Sequence, residues 1–325
     1  MKKILCVLMS CLLFVMAGCS GHSKNLKFGA ADIGGVYYSF ASTFTQLADK
    51  EIDGYTFETK TTAGSVANLR LISDGYIDLA IAQADLLSDA YNATGTFADK
   101  KYQKGYKAVA SLYTECCQIV VRKDSGITGI DDLINKTVSV GASESGSEKN
   151  AEQILKMSGI TDELINKVNM DYTEAAEKLK AGEIDAFFCT AGTRTEVIGQ
   201  LSKECDICLI SLDDKCIDKM LSAYSLCEKY TIPAGTYNGQ DSDVTTIGVK
   251  AVLIAKQSLS DDVIKNVTKT IYEHADDFKY ATSLDISFDI NTAADGVDIP
   301  FHSGAAAYYT CLLYTSPSPR DRQKS

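Results

Sequence analysis

Short apolar runs alternate along the chain with segments whose apolar residues recur at helical spacing. Residues 26–30 have the apolar character of a strand, and Phe40, Phe44 and Leu47 then occupy the i, i+4 and i+7 positions of one helix face. Residues 55–60 alternate apolar and polar side chains, as a second strand does. Because strands and helices continue to alternate beyond this point, the pattern predicts an α/β fold.

One local pattern occurs twice in the chain. Residues 72–81 and residues 179–188 each read as the end of a helix, a glycine, a turn and a buried apolar strand. This repetition predicts two similar α/β lobes. We expect the first lobe over residues 26–115, the second over 116–230, and a return segment over 231–310 that completes the first.

The pattern also predicts individual strands and helices in several longer segments. The apolar stretch over residues 108–121 is predicted to be a strand that crosses between the lobes. Helical periodicity predicts helices over about 86–104, 213–229 and 260–279. Ser145 and Glu148 have the spacing of a capping box, which predicts a helix start at this point.

The two ends of the chain differ from the body. Residues 1–18 have the basic start, apolar centre and small residues of an export signal, and Cys19 follows as in the lipobox of a lipoprotein. We therefore expect a lipid on Cys19, a linker over 19–25 and an extracytoplasmic, lipid-anchored protein; cleavage elsewhere would give a free secreted protein. Residues 311–325 resemble a translated sequencing adapter, and the alternative interpretation is a disordered tail. In neither case do we expect them to carry a function.

Composition and charge exclude several classes of protein. The chain has 325 residues, 45% of them hydrophobic, with 32 Lys and Arg against 43 Asp and Glu, so its net charge is −11. This composition is that of a globular protein and excludes a disordered or multi-pass membrane chain. Because the net charge is negative, we expect no nucleic-acid partner.

Three loops share one physical character: a strand ends, small residues follow and a helix begins. Gly34 and Gly35, Gly64 and Ser65, and Ser145 to Ser147 belong to these loops. Backbone N–H groups at helix starts bind anions, and in open α/β sheets such loops gather at the carboxyl ends of the strands. The loops therefore predict a ligand-binding cleft that suits an anionic group.

Arg194, Tyr37 and Tyr237 are further candidates for ligand binding, but each could instead have a purely structural role. Arg194 could reach a carboxylate in the cleft, or Thr193 and Glu196 could form a capping box that holds Arg194 in a local salt bridge. Tyr37 and Tyr237 could stack on a ligand or hydrogen-bond to it, or lie in the core like most tyrosines of the chain.

Enzyme motifs are absent from the sequence. Neither GxxxxGK[ST] nor GxGxxG occurs, and Ser145 stands where the last glycine of a GxSxG nucleophile elbow must be. Cys205 and Cys208 have redox spacing but lack a thioredoxin-like context, and no second Cys/His pair completes a zinc site. We expect no catalytic residue, cofactor or metal.

Six segments of the chain share one resemblance; they cover residues 34–38, 62–71, 75–85, 186–192, 232–247 and 300–305. Together they resemble the TAXI family of solute receptors of tripartite ATP-independent (TRAP) transporters. The resemblance implies a type II periplasmic-binding-protein fold, in which two α/β lobes on a hinge close over glutamate, 2-oxoglutarate or a related dicarboxylate. It also implies TRAP membrane permease subunits as partners.

The loops at Gly34, Gly64 and Ser145 match the cleft loops of that family, and Asn68, Gln83 and Asp85 lie in segments that carry the resemblance. Together with the loops, it gives the following candidate ligand-binding residues: Gly34, Gly35, Tyr37, Gly64, Ser65, Asn68, Gln83, Asp85, Ser145, Gly146, Ser147, Thr193, Arg194 and Tyr237. Two alternatives share the fold: a ligand-sensing lipoprotein that feeds a signalling partner, and a transferase.

Overall fold

The computed structural model describes residues 23–99, 102, 104–284 and 288–315. The expected signal peptide and lipid-bearing Cys19 lie outside the described residues, as do residues 316–325 of the expected tail. The last described helix runs across the expected boundary at residue 310. None of the described helices has the length and apolarity needed to cross a bilayer.

Strands and helices alternate as the sequence pattern predicts. The strands are β1 (Lys24–Gly29), β2 (Tyr55–Lys60), β3 (Leu79–Gln83), β4 (Tyr106–Arg122), β5 (Thr137–Ser139), β6 (Asn166–Val168), β7 (Ala186–Ala191), β8 (Ile207–Leu209), β9 (Cys227–Ile232) and β10 (Val244–Lys256). The helices are α1 (Val36–Glu51), α2 (Ser65–Ser73), α3 (Ala84–Asn92), α4 (Gly146–Met157), α5 (Tyr172–Ala181), α6 (Glu196–Glu204), α7 (Asp214–Ala223), α8 (Asp261–Glu273), α9 (Ala275–Thr282) and α10 (Ser303–Thr315).

The described strands form one sheet in the order β2-β1-β3-β10-β4-β7-β5-β6, with β8 paired to β4 and β9 paired to β10. β1 pairs parallel with β2 and β3, and β5 pairs parallel with β6 and β7. We call the half of the molecule built on β1 to β3 the first lobe, and the half built on β5 to β7 the second lobe.

Two long antiparallel strands, β4 and β10, join the lobes. They pair from Tyr106 opposite Lys256 to Cys116 opposite Gly248. At one end β10 pairs with β3 of the first lobe, and at the other end β4 pairs with β7 of the second lobe. The crossing strand predicted over residues 108–121 is thus present as β4, and the lobes are connected through continuous sheet.

Each lobe encloses buried apolar side chains that fix its helices to the sheet. In the first lobe Phe28, Phe40 and Phe44 are fully buried, and the ring of Phe40 stacks on that of Phe278 with centroids 4.4 Å apart. Since Phe278 lies on α9, the return segment packs against α1. The equivalent core of the second lobe includes Phe188 of β7, packed with residues of α4 and α7.

Three predicted helices end earlier than expected. The helix predicted over 86–104 stops at Asn92, because Ala93 has a left-handed φ of 54° and the N–H of Thr94 turns back to the carbonyl of Asp89. The segment over 213–229 contains α7 and the start of β9, since residues 227–232 pair as a strand with β10. The segment over 260–279 divides into α8 and α9 at His274, whose side chain pairs with the carboxylates of Glu51 and Asp277.

Candidate functional site

Three helices begin at one cavity between the lobes. They are α1 and α2 of the first lobe and α4 of the second lobe, and the cavity has an empty volume of about 450 Å³, part of it open to solvent. The interlobe cavity is lined by Ala31, Asp32, Gly35, Val36, Tyr37, Ala63, Gly64, Ser65, Gln83, Glu115, Ala142, Ser145, Gly146, Ser147, Tyr172, Thr190 and Ala191.

Glycine is required where the two lobes approach each other across the cavity. Gly64 has φ of +121°, a conformation that L side chains rarely adopt, and its β position would be 3.5 Å from the Cα of Ser145. A β-carbon at Gly146 would lie 2.5 Å from the side-chain carbonyl oxygen of Gln83. Gly64 is therefore required by its backbone conformation, whereas Gly146 is required by the close approach of α4 to Gln83.

Serine hydroxyls occupy the starts of α2 and α4. The Oγ of Ser65 accepts a hydrogen bond from the backbone N–H of Gln83 (3.1 Å), so it links α2 to the end of β3. The Oγ of Ser145 caps α4 by accepting from the N–H of Glu148 (3.0 Å), which confirms the predicted helix start. The Oγ of Ser147 accepts from the N–H of Thr190 (2.8 Å) and lies 2.6 Å from the hydroxyl of Tyr172.

Sequence reasoning missed a buried carboxylate that lines the cavity. Glu115 lies on the crossing strand β4, is 3% exposed, and its Oε2 accepts a hydrogen bond from the hydroxyl of Tyr37 (2.9 Å). Burial raises the pKa of Glu115 to about 8, although hydrogen bonds from Tyr37 and Gln83 lower it in part. The signal in the sequence was a single acidic residue within an otherwise uncharged run over residues 108–121.

A second carboxylate stands at the rim of the cavity. Asp32 follows β1 and accepts a hydrogen bond from the backbone N–H of Tyr172 in the second lobe (3.2 Å). Burial and the nearby charge of Asp171 raise the pKa of Asp32, and the N–H of Tyr172 opposes this effect. None of the described residues that line the cavity is Lys, Arg or His.

The structure brings together eight of the fourteen residues expected to bind ligand. Those that line the interlobe cavity are Gly35, Tyr37, Gly64, Ser65, Gln83, Ser145, Gly146 and Ser147. Gly34, Asn68, Asp85, Thr193, Arg194 and Tyr237 do not line it.

Three of these six residues are buried behind the cavity. The side-chain amide of Asn68 donates to the backbone carbonyls of Gly29, Ala30 and Ile81, so it ties α2 to the ends of β1 and β3. Asp85 is buried in the first turn of α3, and burial raises its pKa to about 6. The hydroxyl of Tyr237 donates to the side chain of Gln118 and accepts from the N–H of Thr195.

The other three line two grooves outside the interlobe cavity. Gly34 and Arg194 line a groove outside the interlobe cavity, and Arg194 is exposed with a left-handed φ of 63°. The capping box considered for Thr193 and Glu196 is wrong, because α6 begins at Glu196 with Thr195 in the N-cap position. Thr193 faces a different groove, lined also by Tyr230.

The two lobes contact each other directly beside the cavity. Arg70 of α2 donates two hydrogen bonds to the carboxylate of Glu144, from Nε to Oε1 at 3.1 Å and from Nη2 to Oε2 at 2.6 Å. The backbone N–H of Ala67 also donates to the carbonyl of Glu144 (3.1 Å). Together with the bond between Asp32 and Tyr172, these contacts make the structure a closed form.

The fold is that of type II periplasmic binding proteins, in which two α/β lobes are joined by crossing strands. The periplasmic binding protein BugD matches with 10% identity and a TM-score of 0.56 over 90% of this chain and 95% of that chain. MatC (Rpa3494) from Rhodopseudomonas palustris, solved with malate, matches with 13% identity and a TM-score of 0.54 over 79% of this chain and 87% of that chain. XAC2383 from Xanthomonas citri, solved with ATP, matches with 11% identity and a TM-score of 0.52 over 91% and 100%.

These likenesses confirm the fold class expected from the sequence: α/β, with the type II periplasmic-binding-protein architecture. The family follows from the sequence itself. Residues 28–310 match the NMT1-like family, and the chain belongs to that family.

Proposed function

We propose that this chain is the extracytoplasmic solute-binding receptor of a TRAP transporter of the TAXI type. It captures a small organic anion, such as glutamate, 2-oxoglutarate or a related dicarboxylate, and delivers it to the membrane permease. The observation that carries the proposal is the convergence of three helix starts on one cavity between two lobes. MatC, which shares the fold, was solved with a dicarboxylate, and this agrees with the proposed ligand class.

The ligand carboxylate binds at the starts of α2 and α4. Each helix start offers N–H groups that lack an intrahelical partner and a positive end of the helix dipole. Ser65 and Ser147 place hydroxyl groups at the same points, and Gly64 and Gly146 let the ligand approach the backbone. Anion binding in this cavity therefore requires no Lys or Arg side chain.

Transport follows from differential binding to two states of the receptor. A ligand that touches α2 of the first lobe and α4 of the second gains contacts in the closed form that the open form lacks. The closed form is the shape that the permease recognises. The proposed lipid on Cys19 keeps the receptor at the membrane surface beside that permease.

A titration of the refolded chain tests this function. Unfolding and refolding removes carried-over ligand, and glutamate, 2-oxoglutarate, glutamine and succinate are then titrated by calorimetry. We expect single-site binding of at least one compound, micromolar or tighter, and recovery of that compound unchanged. Failure of every compound to bind to folded protein would contradict the proposed ligand class, and chemical conversion would contradict a receptor.

A matched pair of glycine variants locates the site. In Gly146→Ala the added methyl group lies 2.5 Å from the Gln83 side chain, so either this side chain, which lines the cavity, or α4 must shift. We expect this variant to lower the affinity at least about tenfold, the equivalent of ~1.4 kcal/mol. Gly199→Ala adds the same methyl group to α6, where nothing lies within 4 Å, and is expected to bind as the wild type does. Equal affinities in the two variants would place the ligand elsewhere.

A further inference from the structure

The interlobe cavity contains a buried acid that pairs with no basic side chain of the described residues. Glu115 is 3% exposed, and its hydrogen-bond donors are the Tyr37 hydroxyl and the Gln83 amide, both of which are neutral. A buried carboxylate is normally paired with a cation or held protonated, because burial of an isolated charge is unfavourable. Neither the lining of the cavity nor the hydrogen bonds of Glu115 supply that cation.

The described groups whose charge interacts with that of Glu115 include no basic side chain. On β10, whose Val249 pairs with Glu115, the neighbouring Lys250 bonds instead to Thr114 and Glu228. The groups that influence the charge of Glu115, or are influenced by it, are Tyr37 of α1, Asp85 of α3, Tyr113 and Cys116 of β4, Tyr172 of α5 and Cys189 of β7. Each of these side chains is neutral or negative at neutral pH. Since these side chains supply no cation, a positive charge that pairs with ionised Glu115 comes from the ligand.

A second acceptor in the cavity also lacks a donor. The side-chain oxygen of Gln83 is buried and has no hydrogen-bond partner among the described residues, and Gln83 is 1% exposed. A buried acceptor left unpaired is destabilising, so the arrangement favours a ligand that donates hydrogen bonds. An ammonium group carries both the donors and the charge that this part of the cavity lacks.

We propose that the ligand presents a cationic nitrogen to Glu115, so that the receptor selects α-amino acids over the matching 2-oxo acids. This inference rests on the proposed function and specifies the chemistry of the same site. The carboxylate of the ligand lies at the starts of α2 and α4, and its ammonium group points towards Glu115 and the Gln83 oxygen. Among the ligands considered above, glutamate satisfies both ends of the site, whereas 2-oxoglutarate and succinate leave Glu115 without a partner.

Ligand binding is consequently linked to proton release. With a pKa of about 8 in the closed empty form, Glu115 is mostly protonated at pH 7, and an adjacent ammonium group favours its ionised form. Binding of an amino acid therefore strengthens as pH rises towards 8, by at most roughly 50-fold between pH 6 and pH 8. A 2-oxo acid shows the opposite trend, because ionised Glu115 repels it.

Matched ligand pairs and one isosteric variant test the inference. Affinities are measured by calorimetry for glutamate against 2-oxoglutarate and for alanine against pyruvate, in the wild type, in Glu115→Gln and in Glu177→Gln. Glu177 is an exposed acid that pairs with Lys180 on the surface of α5, so its variant controls for the loss of one charge. Thermal unfolding monitors the folded state of each variant, and buffers of different protonation enthalpy report the proton released.

We expect the amino acid of at least one pair to bind at least about tenfold more tightly than its 2-oxo partner. In Glu115→Gln that ratio falls, the 2-oxo acid gains affinity and proton release disappears, while Glu177→Gln behaves as the wild type. A 2-oxo acid that binds as tightly as its amino acid would overturn the inference and leave the receptor function intact. An unchanged ratio in folded Glu115→Gln would also overturn it. Failure of all four compounds to bind would contradict both the inference and the proposed ligand class.

Discussion

The ion pair between Arg70 and Glu144 predicts how strongly the unliganded lobes hold together. It is the side-chain contact between α2 of the first lobe and the loop before α4 of the second lobe, beside the backbone hydrogen bond from Ala67 to Glu144. Glu144 adopts a left-handed φ of 65°, and its own N–H donates to the carboxylate of Glu148 (3.0 Å). The loop is thus fixed in the conformation that presents Glu144 to Arg70.

The free energy that this ion pair contributes to lobe closure is estimated from its geometry and its exposure to solvent. The two side chains are 31% and 43% exposed, so solvent screens the pair, and exposed pairs contribute about 0.2–1 kcal/mol. Two parallel hydrogen bonds place this pair at the upper end of that range. We therefore expect Arg70→Met, which retains the apolar stem, to lower the ratio of closed to open receptor about two- to fivefold.

The assay combines small-angle X-ray scattering of the unliganded chain with measurement of ligand dissociation. Arg70→Met is expected to increase the radius of gyration and to speed dissociation without changing any residue of the interlobe cavity. High salt should reduce the difference between variant and wild type. Lys178→Met removes a pair with Glu183 inside the second lobe (2.9 Å) and serves as the control. Equal scattering and dissociation for Arg70→Met and Lys178→Met would refute the reasoning.

Further predictions concern buried polar groups around the cavity. Asn68→Ala removes the donor to three backbone carbonyls and is expected to lower the free energy of unfolding by about 2–4 kcal/mol in urea denaturation; a loss below 1 kcal/mol would contradict this. The raised pKa of Asp85, about 6, means that the folded chain binds more protons than the unfolded chain between about pH 4 and 6, so this residue lowers stability as pH rises. Asp85→Asn should therefore stabilise the protein at pH 7 by up to roughly 3 kcal/mol and have little effect at pH 4, and destabilisation at pH 7 would contradict the assignment. Tyr237→Phe leaves the side chain of Gln118 without its tyrosine donor and should lower the melting temperature while leaving ligand affinity unchanged.

Local patterns in the sequence predicted the elements of the fold. The spacing of Phe40 and Phe44 identified α1, and Ser145 with Glu148 identified the start of α4, because both signals act within one or two helical turns. The ends of α3 and α7 were harder to predict. Apolar residues continue past both ends, and the chain turns away because of a left-handed residue at Ala93 and of pairing between β9 and β10.

The candidate site was predicted in part for the same reason. The glycine and serine loops are local signals, and they meet at the interlobe cavity. Glu115 was missed because its role depends on residues distant in sequence, Tyr37 above all, and a single acid in a strand gives no motif. Conversely, Asn68 has the appearance of a ligand-binding amide, but the carbonyls at the ends of β1 and β3 use its donors.

The most direct test of the account is the scattering of the refolded chain before and after addition of a saturating amino acid that binds in the titration. We expect a decrease in the radius of gyration, because the ligand bridges α2 and α4 and favours the closed form. The ligand should be recovered chemically unchanged after the experiment. Tight binding with no change in the radius of gyration, in a chain that scatters as the open form, would contradict the claim that ligand binding closes the lobes.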